Sequence, residues 1–380
     1  MKTPRIYERI ERALESRRRD SLFRRAAAPA HSCRIDCSTN SYLALEHNAA
    51  VAAEAARLCD GTLAGNLASR LIATRSPLYE TLERELASWK GCAAALAFNS
   101  GYAANLGALQ ALAGRDTAVF SDRLNHASII DGIRLSGAKM VRYAHGDIDD
   151  LARRLAASPA RETLIVTDTV FSMDGDVAPL ASICELARRH GAMVMVDEAH
   201  ATGVLGPRAA GLVEALGLDA AVDIRMGTLS KALAGLGGFV AGSVMVRDYL
   251  VNCARSLIYS TALPHAALAF DLAALRHVRG RPATGATALR LAGRLREGLT
   301  ERGFDTLRSC TQIVPCLTGD EASAGSLAAF LRERSINAPA IRPPTVPRGA
   351  ARIRFSIHAG LKTDDIDEIL EAVDAWRRRR

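Results

Sequence analysis

The chain has 380 residues, 49% of them hydrophobic and 24% charged, with a formal net charge of +8. That length can hold two or three domains around sizeable cores, and the balance of apolar and charged residues excludes an intrinsically disordered chain. Eight cysteines without CxxC or CxxH spacing suggest neither a disulfide framework nor a metal site, so a reducing cytoplasm is expected, and the positive charge suits either a solvated basic surface or anionic partners such as CoA phosphates or an acidic carrier protein.

At the N-terminus, Arg5, Glu8, Arg9, Glu11, Arg12 and Glu15 mix both signs of charge. No signal-peptide core is present, and the acids argue against a transit peptide. Ile6, Ile10, Leu14, Leu22 and Phe23 form a rough helical stripe, which predicts an exposed helix over 4–25, followed by a linker at Ala26–Ala30. Residues 1–44 are read as this arm. Within 45–270, short apolar runs rich in β-formers alternate with helical segments such as Leu180–His190. Seven strands are expected, at Ala93–Phe98, Thr117–Ser121, Lys139–Tyr143, Leu164–Asp168, Ala192–Val196, Val222–Gly227 and Gly238–Gly242. Spacings of this kind describe βαβ units, hence a doubly wound, mostly parallel sheet between helices. Residues 271–380 change pattern: a helix near Thr287–Arg302, a strand near Gln312–Leu317, a helix near Ser326–Ser335, a strand at Arg352–Ile357 and a last helix from Thr363. They read as a smaller α+β domain.

Met226–Val246 is the longest charge-free stretch apart from one residue, Lys231. A membrane span there would place a lysine in mid-bilayer at about 2.5–3.5 kcal/mol, and Gly235, Gly237 and Gly238 interrupt it. No membrane partner is expected. Lost hydration lowers a lysine's pKa toward the range where the amine is nucleophilic, so Lys231 is either a buried structural lysine or one joined to a carbonyl cofactor.

Ligands of a doubly wound sheet gather beyond the carboxyl ends of its strands, and the polar residues of this chain sit at those ends. One strand leads into Asn99-Ser100-Gly101-Tyr102-Ala103-Ala104-Asn105, where a helix start could hold a phosphate. Others lead into Phe171-Ser172-Met173-Asp174-Gly175-Asp176, Asp197-Glu198-Ala199-His200 and Thr228-Leu229-Ser230-Lys231. Asp197-Glu198-Ala199-His200 matches the box that names one helicase class. A nucleic-acid-dependent NTPase needs GxxxxGK[ST], however, and none of the five lysines follows a glycine. A nicotinamide site fails too, since no GxGxxG follows an early strand.

Pyridoxal 5′-phosphate (PLP) needs a lysine for its aldehyde, a carboxylate for its pyridine nitrogen and amides for its phosphate. Lys231, Asp197 and Ser100–Tyr102 can supply them. His200 and Ser172 could reach the ring's phenolic oxygen, and His126, in Asn125-His126-Ala127-Ser128, could stack on the ring. Taken singly, Asp197 is a helix cap, His126 and His200 are loop histidines and Ser172 is a turn residue. Their shared location at strand ends favours the functional reading.

These motifs together, in this order and over nearly the whole chain, resemble the α-oxoamine synthases, PLP enzymes of fold type I. The resemblance implies a homodimer with active sites at the interface and no nucleic-acid partner. It implies a decarboxylative condensation of an amino acid with an acyl thioester on CoA or a carrier protein, with catalytic Lys231, His126 and Asp197. Ala199-His200-Ala201-Thr202-Gly203-Val204-Leu205-Gly206 and Ile341-Arg342-Pro343-Pro344-Thr345-Val346-Pro347 are most similar to members using L-alanine and a pimeloyl thioester. By the same resemblance Thr228 helps bind the phosphate, and Thr261 reaches the partner subunit's phosphate. Asn40 and Arg354 meet the amino-acid carboxylate, and Arg24 and Thr345 meet the acyl substrate. An arginine suits a carboxylate bidentately, but alternation along the strand sends Arg352 and Arg354 to one face, so spacing does not choose between them. The chain departs from the family at Ala64-Gly65-Asn66-Leu67-Ala68-Ser69-Arg70, in place of a Gly-Ser-Gly-Gly-Ser-Arg-type loop, at Ala73-Thr74, and at Tyr79, where histidine is common. Added side chains there are expected to narrow or reshape the acyl channel, which leaves another acyl donor as the alternative.

Overall fold

The computed structural model describes residues 4–19, 23, 33–62, 65–73 and 76–379. Its centre is a seven-stranded sheet in the order Ala94–Phe98, Gly238–Gly242, Ile224–Thr228, Met193–Asp197, Glu162–Asp168, Thr117–Asp122 and Lys139–Tyr143. All seven expected strands are present. Gly238–Gly242 runs antiparallel to both neighbours and the other six are parallel to one another, so six carboxyl ends open on one edge of the sheet.

Alternation along each strand is real but both faces are buried, which is why the sequence reads as continuous apolar runs. Ile165, Val194 and Val196 enter the core beneath the Leu180–His190 and His265–Gly280 helices. Their neighbours Leu164, Val166 and Met195 enter the core beneath the Gly101–Leu112 and Ala127–Ser136 helices. Each fully buried aliphatic side chain contributes about 1.5–3 kcal/mol relative to exposure.

A second core lies in the C-terminal part, where Ile313–Gly319 and Ala351–Ser356 pair antiparallel under the Thr284–Glu301, Glu321–Arg332 and Thr363–Arg377 helices. Ile35–Asp36 pairs in parallel with Ile336–Asn337 and buries Ile35 and Cys37 in that core. The chain from Ile35 to Leu43 is thus built into the body of the protein. The His265–Gly280 helix packs with the large sheet through Leu268, Leu272 and Leu275. Arg5–Arg19 is helical with no buried residue, and Ile6, Tyr7 and Ile10 are exposed. No helix among the described residues is long and apolar enough to cross a membrane.

Candidate active site

Beyond the carboxyl ends of the strands lies a cleft of about 210 Å³ that brings together Ser100, Gly101, Tyr102, His126, Ser172, Asp197, His200, Thr228 and Lys231. Nine of the sequence-predicted residues therefore meet at one place. Asn40 and Arg354 join it through hydrogen bonds. Thr345 lies in an adjoining cavity, Thr261 is exposed outside the cleft, and Arg24 is outside the described residues.

Lys231 sits half-buried in the turn between Ile224–Thr228 and Gly238–Gly242. Burial holds its pKa below that of an ordinary lysine, with Arg354 adding to this and Asp197 and Asp168 opposing it. Its Nζ lies 2.9 Å from His200 Nε2. His200 is buried, and burial, reinforced by Lys231 and Arg354, keeps its pKa well below the usual histidine range, so the ring is neutral. Tyr42 Oη lies 2.6 Å from His200 Nδ1, and Gln312 Nε2 donates to the His200 carbonyl at 2.7 Å.

Asp197 is 4% exposed at the end of its strand. Its Oδ2 accepts from Asn105 Nδ2 at 2.7 Å and its Oδ1 from Ala199 N–H at 2.8 Å, which fixes both oxygens in the cleft wall. Register places Asp168 beside it on the next strand. Burial, then the charge of Asp197, holds the Asp168 carboxyl well above the usual range. Asp168 Oδ2 accepts from the His126 N–H at 2.7 Å and so sets the start of the helix that presents the His126 ring to the open cleft.

The phosphate cradle expected at Ser100–Tyr102 is the N-terminus of a twelve-residue helix. Ser100 Oγ accepts from Ala103 N–H at 3.0 Å, which leaves the N–H groups of Gly101 and Tyr102 without intrahelical acceptors. Close seating requires glycine here: a Cβ on Gly238 would lie 2.6 Å from the Gly101 backbone. Thr228 Oγ1 donates to the Gly237 carbonyl at 2.8 Å and lies 2.8 Å from Ser230 Oγ, so the exposed Ser230 hydroxyl stands at the same rim. An amine, a buried carboxylate and an anion-binding helix start in one cleft fit the aldehyde, ring nitrogen and phosphate of PLP.

Contacts separate the two arginines that spacing left equivalent. Arg352 Nη1 is ion-paired with Asp174, whereas Arg354 forms no ion pair among the described residues. Arg354 instead donates from Nε to the Ser172 carbonyl at 2.6 Å and from Nη2 to Asn40 Oδ1 at 3.1 Å. Its buried guanidinium is therefore free to meet a carboxylate. Next to the cleft, sharing Ser172, lies a cavity of about 310 Å³ lined by Phe171, Met173, Leu307, Thr345 and Val346.

Of the altered segments, Ala64 and Thr74 lie outside the described residues, whereas Asn66 and Tyr79 are described. The altered loop was expected to reshape the acyl channel. In this chain Asn66 is buried and donates to the Leu263 carbonyl, while Tyr79 Oη accepts from Leu263 N–H at 2.7 Å. Both side chains clamp the Leu263 backbone, and neither lines the Lys231 cleft or the Thr345 cavity. The acid after Asp197, read as part of a helicase-like box, is also buried: Glu198 is 0% exposed and paired with Lys90 at 2.8 Å.

A clasp in the wall of the Thr345 cavity sets a pH limit on stability. His145 Nδ1 lies 3.0 Å from Asp122 Oδ1 and Nε2 lies 2.9 Å from Asp176 Oδ2, and Asp122 also accepts from Leu124 N–H at 2.8 Å in the loop leading to His126. Burial disfavours the imidazolium, but the two carboxylates outweigh it and raise the His145 pKa to about 9. A raised pKa means the contribution, about 3 kcal/mol, is complete below the unfolded value of about 6.5 and is lost as pH rises through about 9. Urea unfolding should show the wild type weakening between these pH values, whereas His145→Gln should stay level across the same window. Equal slopes for both would remove the clasp from the account.

Comparison with known proteins agrees with this geometry. The aminotransferase class I and II family matches residues 34–373. The chain is 49% identical over 341 residues to the 8-amino-7-oxononanoate synthase of Anaeromyxobacter dehalogenans (strain 2CP-1), spanning 90% of this chain and 86% of that one. It is similar in structure to the serine palmitoyltransferase of Sphingomonas wittichii, 30% identical with a TM-score of 0.87 over 91% of this chain and 87% of that one. It is also similar to a serine palmitoyltransferase from S. paucimobilis solved with PLP and myriocin bound, 27% identical with a TM-score of 0.92 over 100% of this chain and 99% of that one. With its lysine, carboxylate and helix start gathered in one cleft, the chain belongs to the aminotransferase class I and II family and, within it, to the PLP-dependent, acyl-transferring α-oxoamine synthases.

Proposed function

We propose that the chain condenses L-alanine with a pimeloyl thioester, on CoA or a carrier protein, giving 8-amino-7-oxononanoate, CO2 and the free thiol for biotin synthesis. The observation that carries this reading is the convergence of Lys231, Asp197 and His126 on one cleft with Arg354, a buried arginine that makes no ion pair among the described residues. When bound, PLP supplies an electron sink for a carbanion at the amino acid's α-carbon. Lys231, its pKa held below that of an ordinary lysine, would bond the aldehyde through Nζ and, once released, take the α-proton on the same nitrogen. Asp197 would keep a proton on the ring nitrogen, and His126 would cover the ring face. Arg354, steadied by Asn40, would hold the substrate carboxylate bidentately.

The mostly apolar cavity bearing Thr345 suits an acyl chain beside the reacting carbon. A homodimer fits the surface around Thr261, where the Ser69–Thr261 bridge brings exposed Leu67, Leu71 and Ile72 next to exposed Tyr259. A panel of acyl-CoA and acyl-carrier thioesters against L-alanine, glycine and L-serine, scored by product mass, tests the reading. The expected result is turnover of pimeloyl thioesters with L-alanine above the other pairs. Failure of pimeloyl donors where another acyl donor turns over would move the reaction out of biotin synthesis.

A further inference from the structure

Tyr42 has no role in the reading so far, yet it occupies the junction between the amine and the arginine. Its ring is 0% exposed, and its Oη lies 2.6 Å from His200 Nδ1, 3.1 Å from Asn40 Oδ1 and 3.5 Å from Arg354 Nη2. On the far side of the imidazole, Nε2 lies 2.9 Å from Lys231 Nζ. One continuous hydrogen-bonded path therefore runs from Lys231 through His200, Tyr42 and Asn40 to Arg354.

We propose that Tyr42 is a positioning residue whose hydroxyl sets which ring nitrogen of His200 carries the proton and ties that choice to Arg354; this rests on the proposed reading of the cleft. A neutral imidazole has one N–H and one lone pair, so the path runs in one of two directions. An ammonium on Lys231 only donates, so Nε2 accepts, Nδ1–H donates to Tyr42 Oη and the Tyr42 O–H donates to Asn40 Oδ1. When Nε2 instead donates to an acceptor in the cleft, Nδ1 becomes the acceptor, and the Tyr42 O–H turns from Asn40 to His200. That turn leaves Asn40 Oδ1 to Arg354 Nη2 alone. One hydroxyl hydrogen thus links the state of the amine to the arginine expected to hold the substrate carboxylate. The alternative role, space filling, needs only the ring.

Tyr42→Phe keeps the ring and removes the link. Nitrogen-15 spectra of histidine-labelled full-length protein, with His200→Gln to assign the signal, read the tautomer before and after PLP is added. Wild type is expected to carry the proton on Nδ1 before addition and on Nε2 after it. The Tyr42→Phe variant leaves an Nδ1–H without its acceptor, so it should carry the proton on Nε2 in both states, donated to Lys231 as the neutral amine before PLP is added, and raise KM for L-alanine about tenfold, the effect of losing one hydrogen bond to a charged group. Wild-type tautomers in Tyr42→Phe would overturn the proposal. If that variant does not fold, Asn40→Ala serves in its place: removing the acceptor should turn the hydroxyl to His200 and give Nε2–H, donated to Lys231 as the neutral amine, before PLP is added, and a wild-type signal would overturn the proposal equally. Wild-type protein that takes up no PLP would instead refute the reading of the cleft, while the comparison of cofactor-free tautomers would still decide the role of Tyr42.

Discussion

Lys231→Ala should lower kcat by at least about a thousandfold while leaving the fold intact, as judged by an unchanged urea midpoint. The loss follows from two duties assigned to one nitrogen, bonding the aldehyde and taking the α-proton. The nearest other base cannot replace it. His200 Nε2 is 2.9 Å from the amine, but burial and the neighbouring cations hold that ring far below the pKa needed to accept a proton near neutrality. Lys231→Arg should be as inactive, since a guanidinium keeps its proton and has no lone pair to offer. Activity within tenfold of wild type in either variant would take the chemistry away from this residue.

The second large effect concerns stability. Lys90 and Glu198 are each 1% exposed at the side chain and paired at 2.8 Å. Lys90 Nζ also donates to Thr202 Oγ1 at 2.8 Å, and Glu198 Oε1 accepts from Val213 N–H at 3.0 Å. The pair joins the end of the Leu78–Lys90 helix to the turn that follows Asp197. Lys90→Met or Glu198→Gln strands one buried charge and should cost about 3–5 kcal/mol, measured as a fall in unfolding free energy. The double variant removes both charges and should recover part of that loss. Single variants within about 0.5 kcal/mol of wild type would show that the pair is solvated or dispensable.

Much of this arrangement was legible along the chain because it is local. Each strand of the large sheet is a short apolar run followed at once by the polar residue it delivers, so Asp197, Lys231 and the Ser100–Tyr102 helix start could be placed at strand ends before any contact was known. The partners that tune them were not legible. Tyr42 meets His200 across 158 residues, and Asn105 meets Asp197 across 92. Asn105 did carry a faint signal, lying one helical turn beyond Gly101 on the same face. Tyr42 lies two residues from Asn40, in a segment whose entry into the core depends on Ile35–Asp36 pairing with Ile336–Asn337. Asp168 ends its strand as Asp197 does, but only register makes them neighbours. Spacing alone did not separate Arg354 from Arg352; the ion pair of Arg352 to Asp174, in the loop after the Glu162–Asp168 strand, does.

Glu198 shows the opposite failure. Read in line, Asp197-Glu198-Ala199-His200 is one polar motif. In the fold its members part: Asp197 and His200 face the cleft, while Glu198 turns into the core against Lys90 and packs so closely on Gly211 that a Cβ there would sit 2.3 Å from its carboxylate.

Peptide mapping after reduction tests the assignment of Lys231 most directly. The full chain, reconstituted with PLP and treated with borohydride, should carry the reduced cofactor's mass on the tryptic peptide containing Lys231, and Lys231→Ala should carry none. A modified Lys90 or Lys139 in place of Lys231, or a protein that takes up no PLP, would contradict the account.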